Sequence, residues 1–151
     1  MRAVVCDGTG GEEVLRVAEV PPPAMSDGAL RIRVCATAVN RADLLQRRGL
    51  YPPPPGASEI LGLECAGTVS EVGRGVVGWR LGDRAMALLA GGGYAEDVVV
   101  NAGSAMRVPT WMSWEEAGAL PEVYLTVFLT VFRLGRLAPS ETLLVHGGGS
   151  G

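Results

Sequence analysis

Apolar and polar side chains alternate with a period of two through Leu30, Ile32, Val34 and Ala36, with Arg31, Arg33, Cys35 and Thr37 between them. That period turns one face of a strand to a core and the other to water. Shorter strands are predicted over 3–5 and 14–20, separated by Gly8, Gly10 and Gly11 in the manner of a hairpin. The prolines at 21–23 end the second of these, because proline has no N–H to give a ladder. Further strands are predicted over 64–72, 84–88 and 94–100, with glycines at 73, 75, 78, 82 and 91–93 marking the turns. Many short strands joined by glycine turns predict a small barrel or sandwich.

One helix interrupts this stretch. Asn40 can cap it, residues 41–48 are mostly good helix formers, and Gly49 supplies a left-handed stop. Four prolines at 52–55 then predict an extended polyproline segment across the surface. The pattern changes near residue 112. Ser113 followed by Glu116 is a capping box, a short helix runs to about Leu120, and Pro121 either breaks it or opens the next. Tyr124, Val127, Phe128 and Val131 recur at helical spacing, a stripe expected to be core, ending near Gly135. The apolar run Thr142-Leu-Leu-Val-His146 is typical of a buried parallel strand, and it leads into Gly147-Gly-Gly-Ser-Gly151. There is no internal repeat. The chain therefore passes from a β-rich part to a helix–strand–glycine-loop part, with the change near Pro121.

Composition narrows the classes. The 151 residues suit one domain, or one domain and a fragment of another, and nearly half of them are hydrophobic. Thirteen basic and sixteen acidic residues give a net charge of -3, and the basic ones are scattered, which argues against nucleic acid as a partner. Cys6, Cys35 and Cys65 are too few and too far apart for a disulfide framework; a reducing cytoplasmic setting and three small, buried, apolar thiols are expected. The N-terminus has no signal-peptide pattern and the longest apolar run, 123–132, is too short to span a bilayer, so a soluble protein is expected.

Two segments could carry chemistry. A strand running into a glycine-rich turn lets a pyrophosphate approach bare backbone N–H groups, but the local pattern at 142–151 leaves a dinucleotide loop and an ordinary glycine linker equally open. The second segment is 40–51 together with 61–65. By residue type, Asn40 reads as a cap, Asp43 as a solvated helix residue and Glu64 as a charge at a strand start. Tyr51, beside four prolines, reads as a packing ring or a catalytic hydroxyl.

The run Ala38-Val-Asn-Arg-Ala-Asp-Leu-Leu-Gln-Arg-Arg-Gly49, with Tyr51-Pro-Pro-Pro-Pro-Gly-Ala-Ser58 and Leu61-Gly-Leu-Glu64, resembles the medium-chain dehydrogenase/reductase superfamily. So do Gly82-Asp-Arg-Ala-Met-Ala-Leu88, Gly91-Gly-Gly-Tyr-Ala-Glu96 and Ala119-Leu-Pro-Glu122. The combination is similar to the zinc-free quinone oxidoreductase branch, and within it to the tumour-suppressor-inducible NADPH:quinone reductases of animals. The resemblance covers essentially the whole chain. It implies a mixed α/β fold: a GroES-like β-barrel substrate and catalytic domain over 1–121, then at 122–151 the first helix and strand of a Rossmann-type dinucleotide-binding domain. It also implies NADPH as cofactor, a quinone or related conjugated carbonyl as substrate, and a homodimer for the full-length protein. Tyr51 and Ser150 are the implied catalytic hydroxyls, and Asn40, Asp43, Gly148, Ser150 and Gly151 the implied cofactor-binding residues. In this loop Ser150 stands where the usual dinucleotide pattern has its middle glycine, which leaves less room for a pyrophosphate.

Zinc alcohol dehydrogenases share the implied fold, and set against their pattern the ligand cysteine reads Asn40 here and the ligand histidine reads Leu63. An amide and an isobutyl group are not zinc ligands, and the four-cysteine structural lobe is missing, so no metal is expected. An enoyl or 2-alkenal reductase needs the same hydride donor and is an alternative reading. A non-catalytic, truncated binding module is another. The residue that chooses NAD from NADP comes about 20 residues after the glycine loop. A polypeptide ending at Gly151 is expected to fold through about residue 120, to hold its last thirty residues loosely or against another chain, and to bind NADPH weakly.

Overall fold

The alternating segment forms the second-from-edge strand of the main sheet. In the computed structural model, which describes residues 1–149, it is β3 (Ala29–Ala36), with Leu30 and Ile32 sealed from solvent. β1 (Arg2–Cys6) and β2 (Leu15–Glu19) pair antiparallel as a separate two-stranded sheet, tied to the rest by a bridge between Ala3 and Ala95. The main sheet adds β4 (Glu64–Val72), β5 (Arg84–Leu88), β6 (Asp97–Asn101) and β7 (Ala105–Arg107) in the order β6-β3-β4-β5-β7, all neighbours antiparallel. Leu30, Ile32, Cys65, Val69, Ala85, Ala87, Val98 and Val100 form its core.

The sheet curls because small residues let it. β4 and β5 face each other through Cys65–Ala87, Ala66–Met86 and Gly67–Ala85. Gly67 is pressed against the Arg33 carbonyl, where an added Cβ would overlap the oxygen. The β3–β4 ladder shifts register between Arg31 and Ile32 and again between Val34 and Ala36, and such bulges bend a strand and raise its twist. The result is a curled half-barrel, one of the two forms the β-rich pattern left open and the GroES-like fold that the resemblance implied. The three-residue β7 was not predicted, since so short a run carries no period.

The helices of the first part form as their end signals indicate. α1 (Arg41–Arg47) stops at Gly49, whose φ of 75° is in the left-handed region. At α2 (Trp114–Gly118) the Ser113 hydroxyl accepts the Glu116 N–H at 3.1 Å, and the Glu116 carboxylate accepts the Ser113 N–H at 2.8 Å. α2 lies on β3 and β4, and Gly118 permits it: a Cβ there would come within 2.9 Å of Ala36. Pro121 opens α3 (Pro121–Val127) from the first helical position, and the chain continues as a π-helical stretch, Phe128–Leu134.

Three expectations are overturned. Of the stripe Tyr124, Val127, Phe128 and Val131 only Val131 is partly buried; the other three are exposed, as are Leu129, Phe132 and Leu134, so the stripe is not core. Residues 142–146 form no strand, and Leu143, Leu144 and Val145 face solvent. An apolar run becomes a parallel strand only when neighbours take up its hydrogen bonds and both its faces, and here none does. Of the thiols, Cys65 is buried as expected, but Cys6 is partly exposed and Cys35 exposed, since Cys35 lies on the outer phase of the β3 alternation. Among the described residues no helix is long and apolar enough to cross a membrane.

Candidate functional site

A buried acidic network lies where α1, the start of β4 and the start of α3 meet. Asp43, in the first turn of α1, is 1 % exposed and its carboxylate is the hub of the loop packing around it. It accepts the backbone N–H of Asn40 at 2.8 Å, the N–H of Gly62 at 3.1 Å and the hydroxyl of Tyr94 at 2.9 Å. Three donors on one carboxylate make its burial affordable. Gly62 is held at φ 104°, and a Cβ there would sit 2.6 Å from the Tyr94 nitrogen, so no other residue lets the two segments approach.

Glu64 is 0 % exposed. One carboxylate oxygen accepts the Asn40 side-chain amide at 2.8 Å, and the other accepts the Glu122 backbone N–H at 2.9 Å in the first turn of α3. Its own carbonyl accepts the Thr37 hydroxyl at 2.7 Å. Because a carboxylate can only accept, it fixes which end of the Asn40 amide faces it. Asn40 thus occupies the cap position of α1, but its amide N–H₂ is directed to Glu64.

Beside this network opens a cavity of about 240 Å³ between α1, the proline segment, the end of β5 and the start of α3. Leu63, Leu88 and the prolines make its walls apolar, and its polar groups are Gln46, Tyr51 and Glu122. The Gln46 side-chain carbonyl is buried there without a hydrogen-bond partner. Burial first, then the charges of Glu64 and Asp43, raise the Glu122 carboxyl above the usual range. Burial and the adjacent Asp43 also raise the Tyr94 hydroxyl, which therefore stays a donor.

The implied site residues fall into three groups. Asn40 and Asp43 join the buried network, and Tyr51, 45 % exposed, lines the cavity. Gly148 stands apart on an exposed segment, while Ser150 and Gly151 lie outside the described residues. Readings by residue type are corrected for two residues: Asp43 is not solvated and Glu64 is not a surface charge, because each meets donors from distant segments. Gln46, Tyr94 and Glu122 were not singled out. A carboxylate inside the apolar stretch 61–66 was the available signal, since a buried charge must find donors.

A nicotinamide dinucleotide would need this barrel side and a phosphate-binding loop. The barrel side offers an apolar cavity with oriented polar groups. Among the described residues the loop offers no cradle: a Cβ on Gly148 would meet only Val145 at 3.6 Å, and one on Gly149 nothing within 4 Å. Among the described residues no group of three or more His, Cys, Asp or Glu could hold a metal ion.

Comparison with known proteins agrees with the fold. The alcohol dehydrogenase GroES-like domain model matches residues 26–110. The mouse synaptic vesicle membrane protein VAT-1 homolog-like is 37% identical over all of this chain and 36% of its own length. The chain thus spans about a third of that relative. Escherichia coli quinone oxidoreductase, solved with NADPH, is 32% identical with a TM-score of 0.82, over 93% of this chain and 43% of that one. The CurK enoyl reductase is 26% identical with a TM-score of 0.84, over 93% and 45% of the two chains. The chain belongs to the alcohol dehydrogenase GroES-like family, on the quinone oxidoreductase branch of the medium-chain dehydrogenase/reductase superfamily.

Proposed function

We propose that this chain is the substrate-side part of an NADPH-dependent reductase of quinones or related conjugated carbonyls. The observation that carries the reading is the cavity in which Tyr51 stands over apolar walls, with Leu63 at the position where zinc enzymes of this fold have a histidine. Without a metal ligand there, charge on a reduced carbonyl oxygen is met by hydrogen bonds alone, and a quinone suits this because its oxyanion is a stabilised phenolate. Bound NADPH would supply the hydride. Asn40 and Asp43 would form the barrel side of its site. We place the domain boundary at 121/122, which the change from buried Pro121 to the exposed helix after it supports.

Tyr51 has the role of orienting the acceptor oxygen and stabilising its developing charge. Tyr51→Phe should therefore lower kcat for a benzoquinone by roughly tenfold or more, with little effect on NADPH binding measured by cofactor fluorescence. Unchanged turnover would make the ring a packing residue. The likeness to an enoyl reductase favours a second substrate class, and comparing turnover of a benzoquinone with that of an enoyl thioester decides between them. Protein purified without chelators is expected to carry no stoichiometric zinc by elemental analysis.

A further inference from the structure

We propose that Trp111, Tyr124 and Glu116 form a binding site for a small quaternary ammonium molecule, separate from the acceptor cavity and independent of the reductase reading. A groove of about 330 Å³ lies between the loop before α2, the end of α2 and the start of α3. Trp111, Met112, Glu116, Ala119, Leu120 and Tyr124 line it, and Glu116 is the one charged side chain among them. Trp111 is 78 % exposed and Tyr124 64 % exposed, so each ring has surface free for a ligand.

The exposure of Trp111 is built into the fold. Arg84, on β5, donates from one guanidinium nitrogen to the carbonyls of Pro109 at 3.3 Å and Thr110 at 3.1 Å. The other nitrogen donates to the Met112 carbonyl at 2.6 Å. With the carbonyls on either side of it held by one guanidinium, Trp111 stands on a fastened loop and not on a loose one. The other two tryptophans each already carry a cation. The Arg84 guanidinium lies 4.1 Å from the Trp114 ring centre, and that of Arg107 4.6 Å from the Trp79 ring centre. Among the described residues no cation covers Trp111. An aromatic face attracts a cation, and tryptophan does so best.

The kind of cation follows from the acceptors left in the groove. One oxygen of the Glu116 carboxylate accepts the Ser113 N–H at 2.8 Å, and the other accepts from none of the described residues. The backbone carbonyls are largely taken. That of Met112 is held by Arg84, that of Glu116 by the Ala119 N–H, that of Leu120 by the Tyr124 N–H and that of Tyr124 by the Phe128 N–H. A primary ammonium brings three N–H donors and would find one carboxylate oxygen for them, so water solvates it better. A quaternary ammonium has no N–H and covers its charge with methyl groups. It needs aromatic faces, apolar walls and one balancing negative charge, which this groove supplies.

The test is choline titrated into the 151-residue chain at constant ionic strength and followed by proton NMR. Choline should bind saturably in the roughly millimolar range, shift the Trp111 indole signal and move its own N-methyl signal upfield. The Trp111 signal is identified by its absence in Trp111→Ala. The neutral carbon isostere of choline, and ethanolamine as the primary ammonium, should each bind at least about fivefold more weakly. Trp111→Ala and Tyr124→Leu should each lower choline affinity by about fivefold. Glu116→Gln keeps an acceptor for the capping box, so it should weaken choline binding with the helix intact. Absence of a saturable Trp111 shift overturns the proposal. Equal binding of the neutral isostere would leave the groove merely apolar, and equal binding of ethanolamine would remove the quaternary preference; either result overturns it. So does a choline affinity unchanged in both ring variants.

Discussion

Glu64 and Asp43 show how much a single buried residue organises here. Each carboxylate gathers donors from segments far apart in the chain, so each is a knot and not a surface charge. Removing one donor leaves a buried acceptor short. Tyr94→Phe takes away the 2.9 Å bond to Asp43 and should destabilise the fold by about 1–3 kcal/mol in a urea titration. Cys65 behaves differently. Burial, then the Glu64 charge, pushes its thiol up to about 12 from the ordinary 9.0. A folded value above the unfolded one means that stability is complete below pH 9 and falls as pH rises toward 12, by up to about 1.4 kcal/mol per unit. Iodoacetamide at pH 8 should therefore label exposed Cys35 while Cys65 reacts only in denaturant, as peptide mapping would show.

At the scale of elements, what was legible came from local signals and what was missed came from pairing. The Ser113–Glu116 box starts α2 as its sequence indicates, and Ser113→Ala should cost about 1 kcal/mol, read from the shift in the urea midpoint. Gly49 ends α1 for the same local reason. Gly62 and Gly67 are another matter, because what they meet is far along the chain. Gly62→Ala must adopt φ 104° and approach the Tyr94 nitrogen, so a loss of at least about 2 kcal/mol is expected, with proportionate loss of the Asp43–Gly62 bond. If Gly62→Ala proves as stable as the parent, the close approach is not a constraint. Asn40 is half legible: its place at the helix start follows from residue type, but the direction of its amide is set by Glu64, 24 residues later.

For the whole molecule, the uncovered apolar surface is the main feature. Tyr124, Val127, Phe128, Leu129, Phe132 and Leu134 are exposed on α3 and the π-helical stretch, and Phe128 and Phe132 touch each other with ring centroids 6.0 Å apart. An apolar patch of this kind drives association. Sedimentation velocity of this chain should show oligomers that grow with concentration, and Phe128→Ser with Phe132→Ser should shift the population toward monomer. Amide exchange should be fast after residue 135 and slow in β3 and β4, where the backbone bonds are buried.

Period-two alternation, glycine turns and helix-end signals are local, so they were enough to place β3–β6, α1 and α2 and to narrow the first part to a small barrel or sandwich; the resemblance supplied the GroES-like barrel. The same patterns misplaced the stripe at 124–131 and the run at 142–146, because an apolar sequence states only that it should be covered and not what covers it. The acidic network lay outside the reach of any local pattern. Asp43, Glu64, Tyr94 and the Glu122 N–H lie far apart in the chain, and only the curling of the sheet and the packing of the helix starts bring them within hydrogen-bond distance. A charge placed among apolar residues announced that donors must exist; three-dimensional packing alone decided which ones, and with them the cavity where Tyr51 and Glu122 meet.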